Sequence, residues 1–179
     1  MVTKAPTIPH PKYPIKTGVA VQQCNDTVLV PVYSCGMEQE LTFRIILEDP
    51  PPGVDYGLQK GGGNDYEVVQ RQRSKSGDLK FEFSVRVKEG KNGEPVLLGP
   101  FTHGPPDVRF AYLDIGTYAG QTDTAWSRRL KIPFRDITWD LVKKASGGKR
   151  VLETRVPGKG KDGSPSCATV KPFAGWKVV

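Results

Sequence analysis

Apolar and polar residues alternate with a period of two over several short stretches of the chain, and this alternation constrains its fold most strongly. A period of two is typical of a strand with one buried face, whereas a helix repeats every three or four residues. The Asn92-Gly93 pair after the clearest stretch is typical of a hairpin turn. That stretch runs from Leu79 to Lys88 and places five apolar residues on one face: Leu79, Phe81, Phe83, Val85 and Val87.

Turn-forming residues are frequent between these stretches, with 20 Gly and 16 Pro in 179 residues. Such a content argues against a helical bundle and suits many short strands. Residues 136–145 are predicted to form a helix, since Asp136 or Thr138 can cap its start and Gly147 follows its end. The sequence thus predicts a mostly β fold, an antiparallel sandwich or partly open barrel of seven or eight short strands with one late α-helix.

The predicted domain covers residues 37–179, and residues 1–36 are predicted to be a Pro-rich N-terminal extension that is partly disordered. No apolar run is long enough to span a membrane, and the first residues lack the apolar core of a secretory signal. The expected location is therefore the cytoplasm. The cysteines Cys24, Cys35 and Cys167 are expected to be reduced there, and a Cys24–Cys35 disulfide across a hairpin is the alternative.

One arginine occupies an unusual position in a predicted strand. Read with a period of two, residues 126–132 place Trp126, Arg128, Leu130 and Ile132 on one face. Arg128 then lies in an otherwise apolar row, where an unpaired guanidinium is too costly. The side chain must therefore be paired or must face a wet cavity.

This arginine leads to the main functional hypothesis, a non-enzymatic β domain that binds a small polar or anionic ligand in a pocket near Arg128. A guanidinium beside an aromatic ring suits a carboxylate or phosphate group. The alternative is structural, with Arg128 paired to Asp114 and the glutamines on a solvated face. The predicted ligand-binding residues are Arg128 and Arg109 for charge, Trp126 and Tyr112 as walls, and Asp114, Gln70 and Gln72 as polar contacts. The two glutamines lie in a predicted strand, residues 66–73, in which Val68 is expected to share their face.

Catalysis and metal binding receive little support from the sequence. His103 lies in a stiff loop and Cys167 could act as a nucleophile with it, but no spacing requires this pair. With two histidines and no C-x-x-C motif, no protein zinc site can be predicted, and no cofactor is expected. The sequence therefore favours a protein that is not an enzyme.

Positive charge is concentrated near the C-terminus, where residues 141–179 hold nine Lys or Arg against two acidic residues, in a chain of net charge +7. The alternative function is accordingly nucleic-acid or polyanion binding through region 143–177. Its predicted contacts are Lys149, Arg150, Arg155, Lys159 and Lys161, with Trp176 stacking on a base. A solvated basic tail accounts equally for the charge. A third alternative is an interaction module that recruits a partner through the Pro-rich arm or a sheet edge.

Three blocks of sequence together resemble a known family: LTFRIILEDPPPGVDYGLQKG, LLGPFTHGPPDVRFAYLDIGTYAGQ and WSRRLKIPF. They are similar to an uncharacterised bacterial family described only as a domain of unknown function (DUF5990-like). The resemblance covers about residues 37–179. It implies a single small bacterial domain, and it supplies no activity, ligand or catalytic residue.

Overall fold

The computed structural model describes residues 38–61, 67–99, 101, 106–118, 124–147 and 150–179. The N-terminal extension with Cys24 and Cys35, and the loop residue His103, lie outside these residues. No helix in the described part is long and apolar enough to cross a membrane. The elements are β1 (Gln39–Glu48), β2 (Asp55–Lys60), β3 (Glu67–Arg73), β4 (Leu79–Glu89), β5 (Pro95–Leu98), β6 (Phe110–Tyr118), β7 (Thr124–Pro133), α1 (Trp139–Ser146), β8 (Val151–Pro157), β9 (Ala168–Thr169) and β10 (Lys177–Val178).

The strands form two five-stranded sheets in a sandwich-like arrangement. Sheet A has the order β10-β8-β1-β4-β5, and sheet B has the order β3-β2-β6-β7-β9. Pairing is antiparallel except between β1 and β8 and between β7 and β9, which are parallel. The predicted mostly β fold with one late helix is confirmed. Eight longer strands agree with the seven or eight that were predicted, and β9 and β10 are two additional strands of two residues each.

The core lies between the sheets and is built from the faces that the alternating pattern marked as apolar. In the β4 stretch, Phe81, Val85 and Val87 are fully buried and Phe83 is 6% exposed. Helix α1 packs Val142 and Ala145 against this core. Its predicted cap is confirmed, because the Thr138 hydroxyl oxygen accepts a hydrogen bond from Leu141 N at 3.2 Å.

An extra residue in β7 reverses the alternation on which the Arg128 hypothesis depends. Ile115 of β6 lies opposite Arg128, but the next residue, Gly116, lies opposite Trp126, so Ser127 is inserted between them. A bulge of this kind turns the residues beyond it to the other face of the sheet. Trp126 therefore faces away from the core, and the predicted common face of Trp126 and Arg128 is wrong.

A second extra residue lies in β3. Leu58 of β2 lies opposite Gln70, whereas Gln59 lies opposite Val68, so Val69 is the inserted residue. Val69 is 38% exposed, as expected for a residue outside the regular pairing. Val68 consequently lies on the outer face of sheet B while Gln70 lies on its inner face.

Tyr56 provides a test of the core, because its side chain is fully buried and its hydroxyl has no hydrogen-bond partner among the described residues. Burial raises the pKa of this phenol to about 12 from its ordinary value of 10.0. The folded protein therefore holds the phenol proton more tightly than the unfolded chain does. The stability from this difference, about 3 kcal/mol, is present below pH 10 and is lost as the pH rises towards 12.

We expect Tyr56→Phe to be about 1 kcal/mol more stable at neutral pH, because the substitution removes a buried hydroxyl without a partner. We also expect the variant to lose less stability than the wild type between pH 10 and pH 12. Urea unfolding of both proteins at neutral pH and across this alkaline range measures the difference. A variant clearly less stable than the wild type at neutral pH would show that the hydroxyl is well satisfied in solution.

Candidate functional site

Three polar side chains are buried on the outer face of sheet B, the face that points away from the core. Tyr56 and Leu58 of β2 enter the core, so Asp55, Gly57 and Gln59 face outward. Asp114 of β6 lies directly opposite Gly57. Asp55 is 3% exposed, Gln59 6% and Asp114 2%. Buried charges and amides need partners, so the contacts of these side chains decide what this face can do.

Asp114 has a partner for only one of its two carboxylate oxygens. Arg129 Nε donates to Asp114 Oδ1 at 2.6 Å, and the Arg129 guanidinium carbon lies 5.2 Å from the centre of the Tyr112 ring. The second oxygen, Asp114 Oδ2, is buried and has no hydrogen-bond partner among the described residues. The ion pair that the structural alternative assigned to Arg128 is thus made by the neighbouring arginine.

Trp126 lies across Gly57 on the same face. A Cβ atom at Gly57 would come within 2.9 Å of Trp126 Cη2 and 2.6 Å of Val68 Cγ1, so only glycine leaves room for the indole. The Arg71 guanidinium lies over the indole ring, with its carbon 5.7 Å from the ring centre. Arg71 Nη2 also lies 3.3 Å from Asp55 Oδ2. The position of the indole is therefore fixed by Gly57, which leaves space beneath it, and by Arg71, which is itself paired with Asp55.

These residues border a shallow depression of about 290 Å³, which we call the Trp126 depression. It is lined by Asp114, Trp126, Ser127, Arg128 and Arg129. Its volume is at the lower end of the range of small-molecule sites, about 300–1,000 Å³. The depression can accept one small group, or one unit of a longer molecule, but not a large cofactor.

Arg128 differs from its predicted environment, because its side chain is exposed rather than buried in an apolar row. The arginine is one of the residues that line the Trp126 depression. It is also near the 157–171 segment: hydrogen bonds from Ser164 lower the pKa of Asp162, and the positive charge of Arg128 lowers it further. The predicted burial of Arg128 in an apolar row is therefore wrong, whereas its predicted place beside a cavity agrees with its position at the depression.

Gln70 and Gln72 connect the two sheets. Gln72 Nε2 donates to the backbone oxygen of Lys80 at 2.5 Å, and Gln70 Nε2 donates to the backbone oxygen of Glu82. Both acceptors belong to β4 in sheet A, on the part of that strand that β5 does not cover. The two amides therefore supply hydrogen bonds to backbone oxygens that no strand in the described part of the chain pairs with on that side of β4. Neither glutamine lines the Trp126 depression.

The structure separates two further predicted ligand-binding residues from one another. Tyr112 lies beside Arg129 on the outer face of sheet B. Arg109 precedes β6 and does not line the depression. Its Nε is buried without a hydrogen-bond partner in the described part of the chain. The structure thus brings together Trp126, Asp114 and Arg128, with Tyr112 next to them.

In the basic C-terminal region, Trp176 is packed in the core and two of the predicted contact residues form ion pairs. Trp176 is 5% exposed, so it is not available to stack on a base. Arg155 lies 3.2 Å from a carboxylate oxygen of Glu48, and Lys159 lies 2.6 Å from one of Asp49. Arg150 and Lys161 are exposed, and Lys149 lies outside the described residues. Nucleic-acid binding by this region stays a prediction, and so does the interaction module.

Cys167 is exposed and borders a depression of about 450 Å³ together with Lys159, Lys161 and Lys171. Its predicted partner His103 lies outside the described residues. Among the residues that the structure describes, no group of three His, Cys, Asp or Glu side chains could hold a metal ion.

Sequence reasoning missed Arg129 as the partner of Asp114, and it missed the Arg71–Asp55 pair. Both pairs follow from cross-strand register, since Arg129 lies opposite Asp114 and Arg71 is diagonal to Asp55. Opposite charges on neighbouring strands were the available signal. The register between the paired strands could not be predicted, because the alternation within a single strand does not encode it.

Comparison with known proteins gives a family and no function. The profile of a family described as "Family of unknown function (DUF5990)" matches residues 41–179. A search of curated proteins and a search of solved structures found no match. The matched segment includes nearly all of β1 and every later element, and so both sheets and the Trp126 depression. The chain therefore belongs to the DUF5990 family of unknown function.

Proposed function

We propose that this domain binds a small polar molecule in the Trp126 depression and performs no chemistry on it. The observation that carries the proposal is Asp114, whose carboxylate is 2% exposed, borders the depression and leaves Oδ2 without a partner. An unpaired buried acceptor is unfavourable by about 1–3 kcal/mol, and a ligand donor would remove this cost. Ligand sites commonly combine such a polar group with an aromatic wall, here Trp126.

The outer face of sheet A also carries carboxylates, but their hydrogen bonding differs from that of Asp114. Arg44 of β1 donates to Glu82 at 2.7 Å and to Glu153 at 3.1 Å, so one guanidinium joins three strands. The hydrogen bond from Arg44 lowers the pKa of Glu82. No carboxylate of this network has a buried oxygen without a partner in the described part of the chain. The unsatisfied carboxylate oxygen thus distinguishes the Trp126 depression from an ordinary charged sheet face.

A thermal-shift screen of neutral, anionic and cationic metabolites tests the proposal. We expect at least one compound to raise the melting temperature of the wild type, since a ligand at one hundred times its Kd stabilises a protein by about 2.7 kcal/mol. Arg128→Ala should weaken that binding about fivefold, the effect of one partly exposed charged contact. Arg128 is exposed, so the variant should fold normally.

Arg86→Ala is the matched control, because Arg86 is also an exposed strand arginine but lies in sheet A, paired with Glu38. Its ligand response should equal that of the wild type. A short DNA and a short RNA, each at low and moderate salt, represent the polyanion alternative, whose affinity must fall steeply with salt. If only these polyanions bind, or if Arg86→Ala and Arg128→Ala lose binding equally, the Trp126 depression is not the site.

A further inference from the structure

The charge of Asp114 is already balanced, and this limits what its free oxygen can accept. Arg129 Nε forms a 2.6 Å ion pair with Oδ1, so the pair as a whole carries no net charge. Oδ2 still lacks a hydrogen bond among the described residues. What it requires is therefore a donor group, and no cation is needed for neutrality.

Donors surround this acceptor on the other sides of the depression. Arg128 and Ser127 are both lining residues of the depression, and both are exposed. A guanidinium can only donate, whereas a hydroxyl both donates and accepts. A bound group that donates to Asp114 and accepts from Arg128 would match both residues within the space of about 290 Å³.

A charged ligand meets an unfavourable neighbour in either case. An anionic group close enough to contact Asp114 Oδ2 would face a buried carboxylate, and it could offer no proton. A cationic group would face Arg128, which lines the same small space and adds a positive charge to the neutral Asp114–Arg129 pair. Like charges in contact disfavour binding, so a neutral group has the advantage over both.

We infer that the Trp126 depression takes a neutral hydroxyl-bearing ring, of which a sugar is the common example; this inference rests on the proposed function. Adjacent hydroxyls of a sugar supply a donor for Asp114 Oδ2 and an acceptor for Arg128. The C–H face of the same ring supplies apolar surface for the indole of Trp126. Gln59 Oε1, a second buried acceptor without a described partner, lies on the same sheet face one position beyond Gly57 along that side of β2.

Three probes with the same ring and different charge test this inference: glucose, glucuronate and glucosamine. Each is titrated into ¹⁵N-labelled protein at a pH at which glucuronate is anionic and glucosamine cationic, and the indole N–H signals are followed. The chain has three tryptophans, so the signals of Trp139 and Trp176 serve as internal controls, and Trp126→Phe assigns the third. We expect glucose to shift the Trp126 signal selectively and to bind about fivefold more tightly than either charged probe.

Two variants complete the test. Asp114→Asn should weaken glucose binding about tenfold or more, the effect of losing a hydrogen bond to a charged group. Because that change also disturbs the Arg129 pair, Arg128→Gln provides a second variant at an exposed position, with an expected loss of about fivefold. Unchanged glucose affinity in both variants would overturn the inference.

The outcomes also separate this inference from the proposed function. Tighter binding of glucuronate or of glucosamine overturns the neutral-ring inference and leaves a depression that binds a charged ligand. If none of the three probes shifts Trp126 but another compound from the thermal-shift screen does, the inference fails and the proposed function stands. If no compound shifts the Trp126 signal, both fail.

Discussion

Trp176→Ala should lower the free energy of unfolding by about 3–5 kcal/mol, the range found when a buried tryptophan is truncated. The indole is 5% exposed and stacks on Phe134 at a centroid distance of 5.4 Å with an interplanar angle of 8°. It also forms an edge-to-face contact with Phe43, with the ring centroids 5.0 Å apart, and Nε1 donates to the backbone oxygen of Pro133 at 2.9 Å. Phe43 belongs to sheet A and Pro133 to sheet B, so the C-terminal tail fills the space between the sheets.

Denaturant unfolding monitored by circular dichroism measures this loss. Trp176→Phe is the matched control, because it keeps an aromatic ring and removes the donor to Pro133; its cost should be about 1–2 kcal/mol. The same proteins should be tested for nucleic-acid binding. If Trp176→Ala kept wild-type stability but lost affinity for single-stranded RNA, the predicted base-stacking role of Trp176 would be correct and the packing role wrong.

Strands without an inserted residue could be predicted from the sequence alone. In β4 each residue predicted to face inward is buried or packs against the core. In β1 burial alternates in the same way from Leu41 to Ile45, and Ile46 is the one apolar residue buried on its other face. These two strands pair over nine residues, from Gln39 opposite Val87 to Leu47 opposite Leu79. Period-two reasoning works here because burial on one face is the dominant force acting on every residue of the strand.

The candidate site could be predicted only in part, because it lies beside a bulge. Ser127 adds one residue to β7, and nothing in the composition of residues 124–130 marks the insertion. One added residue is enough to turn Trp126 to the outer face. The prediction therefore identified Trp126, Asp114 and Arg128 as neighbours, but it gave the wrong face for Trp126. The partner of Asp114 was wrong for another reason, since the alternation of each strand does not fix the register that places Arg129 opposite Asp114.

The roles of the glutamines could not be predicted for a different reason. Gln70 and Gln72 donate to backbone oxygens of β4, a strand of the other sheet. Which strand edges meet in a sandwich depends on the packing of the two sheets, and no local pattern encodes it. The parallel pairing of β1 with β8, more than one hundred residues apart, is hidden from local reasoning in the same way.

Gly158→Ala should destabilise the protein by about 3 kcal/mol, at the upper end of the usual cost of overpacking. Gly158 follows β8, and its N–H donates to the backbone oxygen of Glu48 at 2.8 Å, at the end of the parallel β1–β8 pair. A Cβ atom here would lie 2.6 Å from that oxygen, 2.6 Å from Pro50 Cα and 2.7 Å from Pro50 N. All three are backbone atoms, so no side-chain rotation can relieve the clash, and the ends of both strands must move.

Gly147→Ala is the matched control for this prediction. Gly147 ends helix α1 in a right-handed helical conformation, with φ −67° and ψ −14°, which alanine adopts without strain. The nearest atom to its added Cβ would be Lys143 O at 3.3 Å, which a small adjustment accommodates. Thermal and urea unfolding should therefore place Gly147→Ala within about 0.5 kcal/mol of the wild type, as for most surface substitutions. Equal stabilities of the two variants would show that the β1–β8 junction can open to admit a methyl group, and that the close approach of Gly158 to Pro50 is not required.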